Sequence, residues 1–376
     1  MILTTEHEMF RESLRDFIDR EIAPHVTEWE AQQAFPYRDL YRKMGQEGFL
    51  GLTYSEEYGG LGLDYGYTLV WGEELGRIAG GGIPMSVSVQ TDMCTPAIAK
   101  YGSDLLKREF LQPAIYGEKI GAIAVTEPGA GSDVAAIRTE AKRDGDHYVI
   151  NGSKAYITNG GIADFVVILC RTSQDGIRGM SLLVVPTDTP GFTITKTHDK
   201  LGNRICNHAS MRFEDVRVPV DYLIGEEGNG FKMQMEQFMS ERLILGIITC
   251  SQAQAVLEKT KAYAKERHVF DQPLLQHQHI GFTLVDLELE LTFLQQMVTH
   301  TVQLYMEGKE CTREVAMIKL KASRLLRAAA DHGLQIFGGY GYMEESGMPQ
   351  LYRDARAASL AGGTDEVMQY LLQKYL

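Results

Sequence analysis

The hydrophobic period of this chain changes twice, and that restricts the fold more than any other feature. Over residues 5–119 the apolar residues recur at helical spacing: Phe10, Leu14 and Phe17 fall four and three apart, and Leu106 and Phe110 repeat the interval. From Gly121 the apolar residues instead form short runs rich in Val, Ile and Thr: Tyr148–Asn151, Phe165–Cys170, Ser181–Pro186, Phe192–Lys196 and Met211–Pro219. Met211–Val218 alternates apolar with charged residues over much of its length, as a half-buried strand does. After Gly228-Asn229-Gly230 the helical period returns and continues to Leu376, with Phe231, Met235, Phe238, Leu245 and Ile248 along one face. The expected order is α domain (1–120), β domain (121–227), α domain (228–376). Tyr58-Gly59-Gly60-Leu61-Gly62 and Gly80-Gly81-Gly82 are expected to break helices, Asn151-Gly152 and Asn159-Gly160 to turn between strands. Thr5-x-x-Glu8 reads as a capping box.

Composition excludes several classes. The chain has 376 residues, enough for two or three domains, and a formal net charge of −13 that argues against a nucleic-acid partner. Five scattered cysteines form no C-x-x-C pair, which fits reduced thiols better than a disulfide framework or a zinc site. No apolar run approaches a membrane span, and no basic segment followed by an apolar core opens the chain, so a cytoplasmic protein is expected. His277-x-His279 invites a metal reading, but alternating residues on a helix face apart and no third ligand is near, so no metal is expected.

The chemistry is concentrated in Gly121-Ala-Ile-Ala-Val-Thr-Glu-Pro-Gly-Ala-Gly-Ser-Asp133. A strand-like run ends in a loop where Gly129 and Gly131 permit close backbone approach to an anion, with Thr126 and Ser132 adding hydroxyl donors. This segment resembles the flavin-pyrophosphate loop of the acyl-CoA dehydrogenase family. Further resemblance lies, in order, in Asn151–Gly160, Phe213-Glu-Asp-Val-Arg-Val-Pro219, Tyr263–Phe270 with Pro273-Leu274 and Gln278, Gln335-Ile-Phe-Gly-Gly-Tyr-Gly341, and Gly363-Thr364-Asp-Glu366. The resemblance implies a multi-domain α+β fold: an N-terminal α-helical domain, a middle β-sandwich or barrel-like domain, and a C-terminal domain like a four-helix bundle. It implies FAD as cofactor, an acyl-CoA thioester as substrate, an electron-transferring flavoprotein as acceptor, and a homotetramer. Val125, Thr126, Gly131, Ser132, Tyr156 and Thr158 would contact the flavin and its pyrophosphate arm, Tyr156 standing where the family often has Trp. Arg267, Phe270, Gln278 and Gln335–Gly339, including Gly338, would come from a neighbouring subunit, with Leu274 also a cofactor contact and Thr364 and Glu366 near the same cofactor.

The sequence departs from the family where most members carry a catalytic Glu: here that position is Gly362. The long-chain and isovaleryl-type branches place the Glu on a C-terminal-domain helix just before an Arg, and Glu241-Arg242 matches. On a helix Glu241 lies beside Phe238, Ile244 and Leu245, a poorly solvated face that raises a carboxyl pKa toward that of a general base. The competing reading pairs Glu241 with a cation from another helix. Gly362 keeps a backbone N–H, the role the family gives that position toward the thioester oxygen. Ser132, Arg242 and Ala361 are the substrate candidates; Arg242 could equally be a helix-to-helix ion pair, and the small Ala361 would widen the site. Glu127 reads as structural. Two rival functions remain at this level: an acyl-CoA oxidase using oxygen, and a non-catalytic FAD-binding paralogue.

Overall fold

The computed structural model describes residues 3–376; Met1 and Ile2, the first two residues of the expected N-terminal domain, lie outside the described residues. The N-terminal segment contains α1 (Thr5–Glu21), α2 (Val26–Gln32), α3 (Tyr37–Gln46), α4 (Tyr65–Gly76), α5 (Gly82–Ser88), α6 (Thr95–Tyr101), α7 (Asp104–Leu106) and α8 (Gln112–Ile115). A π-helical segment, Val89–Cys94, joins α5 to α6. The strands follow: β1 (Gly121–Ala124), β2 (Glu140–Asp144), β3 (His147–Thr158), β4 (Phe165–Arg171), β5 (Met180–Pro186), β6 (Phe192–Thr197), β7 (His208–Pro219) and β8 (Leu223–Ile224). The C-terminal segment holds α9 (Gly230–Glu266), the hairpin β9 (His268–Val269) and β10 (Gln272–Pro273), α10 (Gln278–Met306), α11 (Thr312–Gly341), α12 (Met348–Ala355) and α13 (Asp365–Gln373).

The eight strands β1–β8 form one sheet in the order β6-β7-β3-β2-β4-β5-β8, with β1 added parallel to β4. The sheet folds over a core containing Ile150, Val166, Ile168, Leu183, Met211 and Phe213. The other face of β4 and β5 (Phe165, Val167, Leu169, Leu182, Val184) packs on Ile98, Leu106 and Phe110 of the N-terminal helices. Burial on both faces explains why β4 reads as an unbroken apolar run, whereas β7, solvated on one side, alternates. β1 and β2 follow one another along the same edge of β4, and the chain between them bulges out as the loop that carries Gly129–Ser132.

The two helical segments share one core. Leu14, Phe17, Trp71 and Leu75 belong to the same buried cluster as Ile244, Ile247, Ile318 and Leu325. Gly76 permits the approach of α4 to α9, since a Cβ there would lie 2.5 Å from the Ile248 carbonyl oxygen. In the C-terminal segment α9, α10 and α11 pack with α13 as a bundle.

Two local expectations are corrected. The cap of α1 is Thr4 with His7, not Thr5 with Glu8: the Thr4 backbone N–H donates to His7 Nδ1 at 3.0 Å. His7 is buried and its Nε2 lies 3.1 Å from Asp64, at the start of α4, while Glu8 pairs with Arg11. Asn151-Gly152 is not a turn. β3 runs through it, the register against β7 shifts there, and Gly152 at φ 151° lies where a Cβ would meet the Thr139 Cα at 2.7 Å. Asn159-Gly160 does turn, with Asn159 at φ 63°.

Candidate active site

The loop after β1 is anchored from beneath by an ion pair. Glu127 closes a tight turn with Ala130 through backbone bonds of 2.9 and 3.1 Å. Its carboxylate accepts the backbone N–H groups of Arg138 (2.7 Å) and Thr139 (2.9 Å) and the Lys154 ammonium (3.0 Å). Lys154, fully buried on β3, spends its other donors on the carbonyls of Val125 (2.9 Å) and Leu169 (2.7 Å). Burial pushes the Glu127 pKa up, but the Lys154 charge and the Thr139 and Arg138 donors outweigh it and hold the carboxyl below its usual range. Lys154 was not legible: a lysine inside an apolar strand pairs here with a glutamate 27 residues away, and no local pattern announces it.

Above this anchor the loop faces outward. Gly129, Gly131 and Ser132 are exposed. Gly129 and Gly131 have no positive φ, and a Cβ on either would meet nothing within 4 Å. Neither the backbone nor the packing of this chain requires glycine there, and the space over the loop is open to the close approach of an anion. Tyr156, 65% exposed at φ 60°, presents an aromatic face 5.0 Å from His198. The Thr158 hydroxyl lies 2.9 Å from His208 Nε2. Burial and the Lys200 charge depress the His208 pKa to about 4, and Lys200 donates to its Nδ1 at 3.0 Å. The ring hydrogen is therefore on Nε2 and points at the Thr158 oxygen, leaving the Thr158 O–H free to donate outward.

Glu241 lies in the twelfth position of α9 and is 5% exposed. Its partners are amides, not the apolar neighbours alone that the sequence implied. Gln237, one turn before, donates to Glu241 Oε1 at 2.9 Å, and Gln234 approaches the same oxygen at 3.4 Å. Gln237 also donates to the Met93 carbonyl of the π-helical segment. Burial raises the Glu241 pKa to about 7; Gln237, Arg242 and Gln234 oppose that rise, and Asp92 adds to it. Asp92, next to Met93, is itself raised to about 7 by burial against the opposing Thr91 hydroxyl, which donates to it at 2.6 Å. No local pattern marks Asp92, because its influence on Glu241 depends on how α9 docks on the N-terminal helices.

Arg242 forms no ion pair with another helix among the described residues. Its Nε donates to the Gly362 carbonyl at 3.2 Å and its guanidinium lies over the Phe238 ring at 5.4 Å. Lys319 of α11 donates to the neighbouring Gly363 carbonyl. Two cations thus hold the 362–363 loop by its carbonyls. Gly362 adopts φ 65°, and a Cβ there would lie 2.5 Å from Leu245 Cδ1. Positions 241 and 362 therefore converge on the same stretch of α9. The Gly362 N–H has no protein acceptor among the described residues. Ala361 is exposed beside it; Thr364 caps α13 by accepting from Val367, and Glu366 lies in the first turn.

The remaining candidates are at the opposite end of α9. Arg267 is about 39 Å along the helix from Glu241 at 1.5 Å per residue. Arg267, Phe270 and Gln278 are exposed there, Phe270 by 87% at φ 52°, with Leu274 half-buried. Gln335–Gly339 lie beside them, since the rings of Tyr263 and Phe337 stack at 3.9 Å. Gly338 (φ 61°, ψ −141°) interrupts α11, and a Cβ on Gly338 or Gly339 would again meet nothing within 4 Å. No helix among the described residues is long and apolar enough to cross a membrane, and no three His, Cys, Asp or Glu side chains gather as a metal set among them.

The helix–sheet–helix fold thus carries an outward glycine loop after β1 and, on α9, a buried carboxylate one turn from the leucine against which Gly362 packs. Family models for the acyl-CoA dehydrogenase N-terminal, middle and C-terminal domains match residues 4–118, 122–216 and 228–376, and the chain belongs to that family, whose members are FAD-dependent flavoproteins. It is 38% identical to the probable acyl-CoA dehydrogenase YngJ of Bacillus subtilis, over 100% of this chain and 98% of the relative. It is 35% identical to the long-chain specific acyl-CoA dehydrogenase of Sus scrofa mitochondria, over 99% of this chain and 87% of the relative. A crystal structure of acyl-CoA dehydrogenase from Geobacillus kaustophilus superposes with a TM-score of 0.96 at 38% identity, covering 99% of this chain and 98% of the other.

Proposed function

We propose that Glu241 is the base of an α,β-dehydrogenation that converts an acyl-CoA thioester to the trans-2-enoyl-CoA. One observation carries this reading: the carboxylate is buried, answered only by two glutamine amides and the adjacent Arg242, and raised to about 7. A base so poised accepts a carbon-bound proton near neutral pH while remaining ionised in a useful fraction.

Bound FAD supplies the acceptor for the hydride that leaves Cβ. Val125, Thr126, Gly131, Ser132, Tyr156 and Thr158 would hold it, and the unfilled space over Gly129 and Gly131 fits that role. Glu241 removes the Cα proton, and the electron pair of that bond moves toward the thioester carbonyl. The Gly362 N–H donates to the carbonyl oxygen as charge develops there, a contribution of about 3 kcal/mol for a preorganised donor. Arg242 and Lys319 keep that N–H aimed by clamping the carbonyls of Gly362 and Gly363. Ser132, Arg242 and Ala361 border the substrate. The separation of Arg267 and Gln335–Gly339 from Glu241 supports a homotetramer in which a neighbour contributes them. So does the exposed apolar stripe Phe282, Val285, Leu289 and Phe293 on α10. The acceptor in this reading is an electron-transferring flavoprotein.

The test is anaerobic. Glu241→Gln is expected to retain FAD and bind acyl-CoA while flavin bleaching falls by several orders of magnitude; bleaching at the wild-type rate overturns the assignment. Oxygen uptake in an aerobic mixture, at the rate of turnover with the flavoprotein acceptor, overturns the acceptor.

A further inference from the structure

The Thr158 hydroxyl is held from behind by two residues of the chain that returns beside it. Thr158 ends β3, His208 opens β7, and the two are direct partners in the antiparallel register. His208 Nε2 lies 2.9 Å from Thr158 Oγ1. The other ring nitrogen, Nδ1, lies 3.0 Å from the Lys200 ammonium, which also donates to the Cys206 carbonyl. Lys200 belongs to the segment between β6 and β7, and His198 ties that segment to β7 by donating its backbone N–H to the His208 carbonyl at 2.9 Å.

The lysine fixes the direction of these bonds. An ammonium has three hydrogens and no acceptor, so Nδ1 accepts and the ring hydrogen is on Nε2. Burial and the Lys200 charge oppose a second ring proton, which depresses the His208 pKa to about 4 and keeps the ring neutral above it. His208 therefore donates to Thr158 Oγ1, and the hydroxyl hydrogen turns away from the ring. A cross-strand contact alone needs none of this, because a Thr–His pair is satisfied by either tautomer. The lysine is also drawn in at a cost. Lys200 is half-buried, burial lowers its pKa, and among the described residues it forms no ion pair, although Asp354 and Glu30 act against that shift.

We infer that Lys200 and His208 are positioning residues for the cofactor: they lock the Thr158 hydroxyl as a donor to an acceptor atom of the flavin ring, and so draw electron density from the ring that takes the hydride. The inference rests on Thr158 meeting the flavin, as proposed above, and adds two residues that act through it.

The test uses the FAD-loaded enzyme under anaerobic conditions. One readout needs no turnover and does not depend on the base assignment: the visible absorption band of oxidised bound FAD. The other is the limiting rate of flavin reduction by a saturating acyl-CoA. Thr158→Val tests the contact itself. It is expected to move the band and to lower the rate about tenfold, the worth of one hydrogen bond, with KM for the thioester unchanged. His208→Leu is expected to reproduce both changes with the hydroxyl in place. His208→Gln, whose amide accepts from Lys200 and donates to Thr158, is expected to recover most of the rate. Lys200→Met should slow the enzyme that has His208 and add nothing to His208→Leu. If Thr158→Val moves band and rate while His208→Leu moves neither, the proposal is overturned and the Thr158 contact stands. An equal loss from Lys200→Met with and without His208 also overturns it. If Thr158→Val moves neither, the flavin contact itself fails and takes this one with it. Should His208→Leu lose FAD, Lys200→Met is read against Lys200→Arg: arginine keeps the donor and is expected to match the wild type, and equal behaviour of the two overturns the proposal.

Discussion

Glu127 and Glu241 are buried to nearly the same degree, 7% and 5% exposed, and yet their carboxyl groups are driven in opposite directions. Around Glu127 an ammonium and two backbone N–H groups converge, so the charge is stabilised more than burial penalises it. Around Glu241 the donors are side-chain amides, and Asp92 adds a second negative charge, so burial prevails. Burial alone therefore does not make a base: the number and charge of the donors decide whether a buried carboxylate holds a loop or takes a proton. Glu127 anchors the backbone of the glycine loop, and Glu241 is left short of partners.

The comparison predicts its own failures. The largest effect is on rate: Glu241→Gln should slow flavin reduction by about 10³-fold or more with FAD retained, measured by anaerobic stopped flow. The next is on stability. Lys154→Met leaves the Glu127 charge buried without its cation and should cost about 3–5 kcal/mol, read from urea unfolding, with loss of bound FAD. Were Lys154→Met neutral, the ion pair would not be what holds the loop.

The two carboxyls also carry opposite pH signs. Between pH 4.5 and about 7 the folded chain holds a proton at Glu241 that the unfolded chain has released, so this group lowers stability by roughly 3 kcal/mol as pH rises through that window. Glu127 does the reverse: its contribution is complete above the unfolded carboxyl range and is lost as pH falls through its depressed pKa. Flavin reduction should rise as pH passes about 7 while stability declines over the pH units below, and Glu241→Gln should flatten that part of the stability curve. Asp92 is raised to a similar value by its own burial, so it titrates in the same window. The smallest expected effect is Gln237→Leu, which removes the closest amide and should shift the rate profile about one unit to higher pH. A profile unmoved by Gln237→Leu would mean that another group sets it.

Much of the fold was legible because each period has a mechanical cause. Phe165–Cys170 read as an apolar run since both faces of β4 are covered, and Met211–Val218 alternated since one face of β7 is wet. Asn151-Gly152 misled because a turn dipeptide and a bulge place the same demand on a glycine backbone. Glu241 and Gly362 were reached from the sequence through family resemblance, and their convergence on Leu245 is a tertiary fact. Lys154, Asp92 and the amide pair Gln234–Gln237 escaped: the first two act across long sequence separations, and the glutamines read as ordinary polar positions of a helix.

One unbroken helix, α9, carries Glu241 near its start and delivers Arg267 just past its end. Adding or removing a single residue between them would turn one about 100° around the axis relative to the other. Under the tetramer reading, the chemistry of one subunit and the cofactor clamp offered to the next are thus geared together by a rigid shaft. Its length is free to change only by whole revolutions.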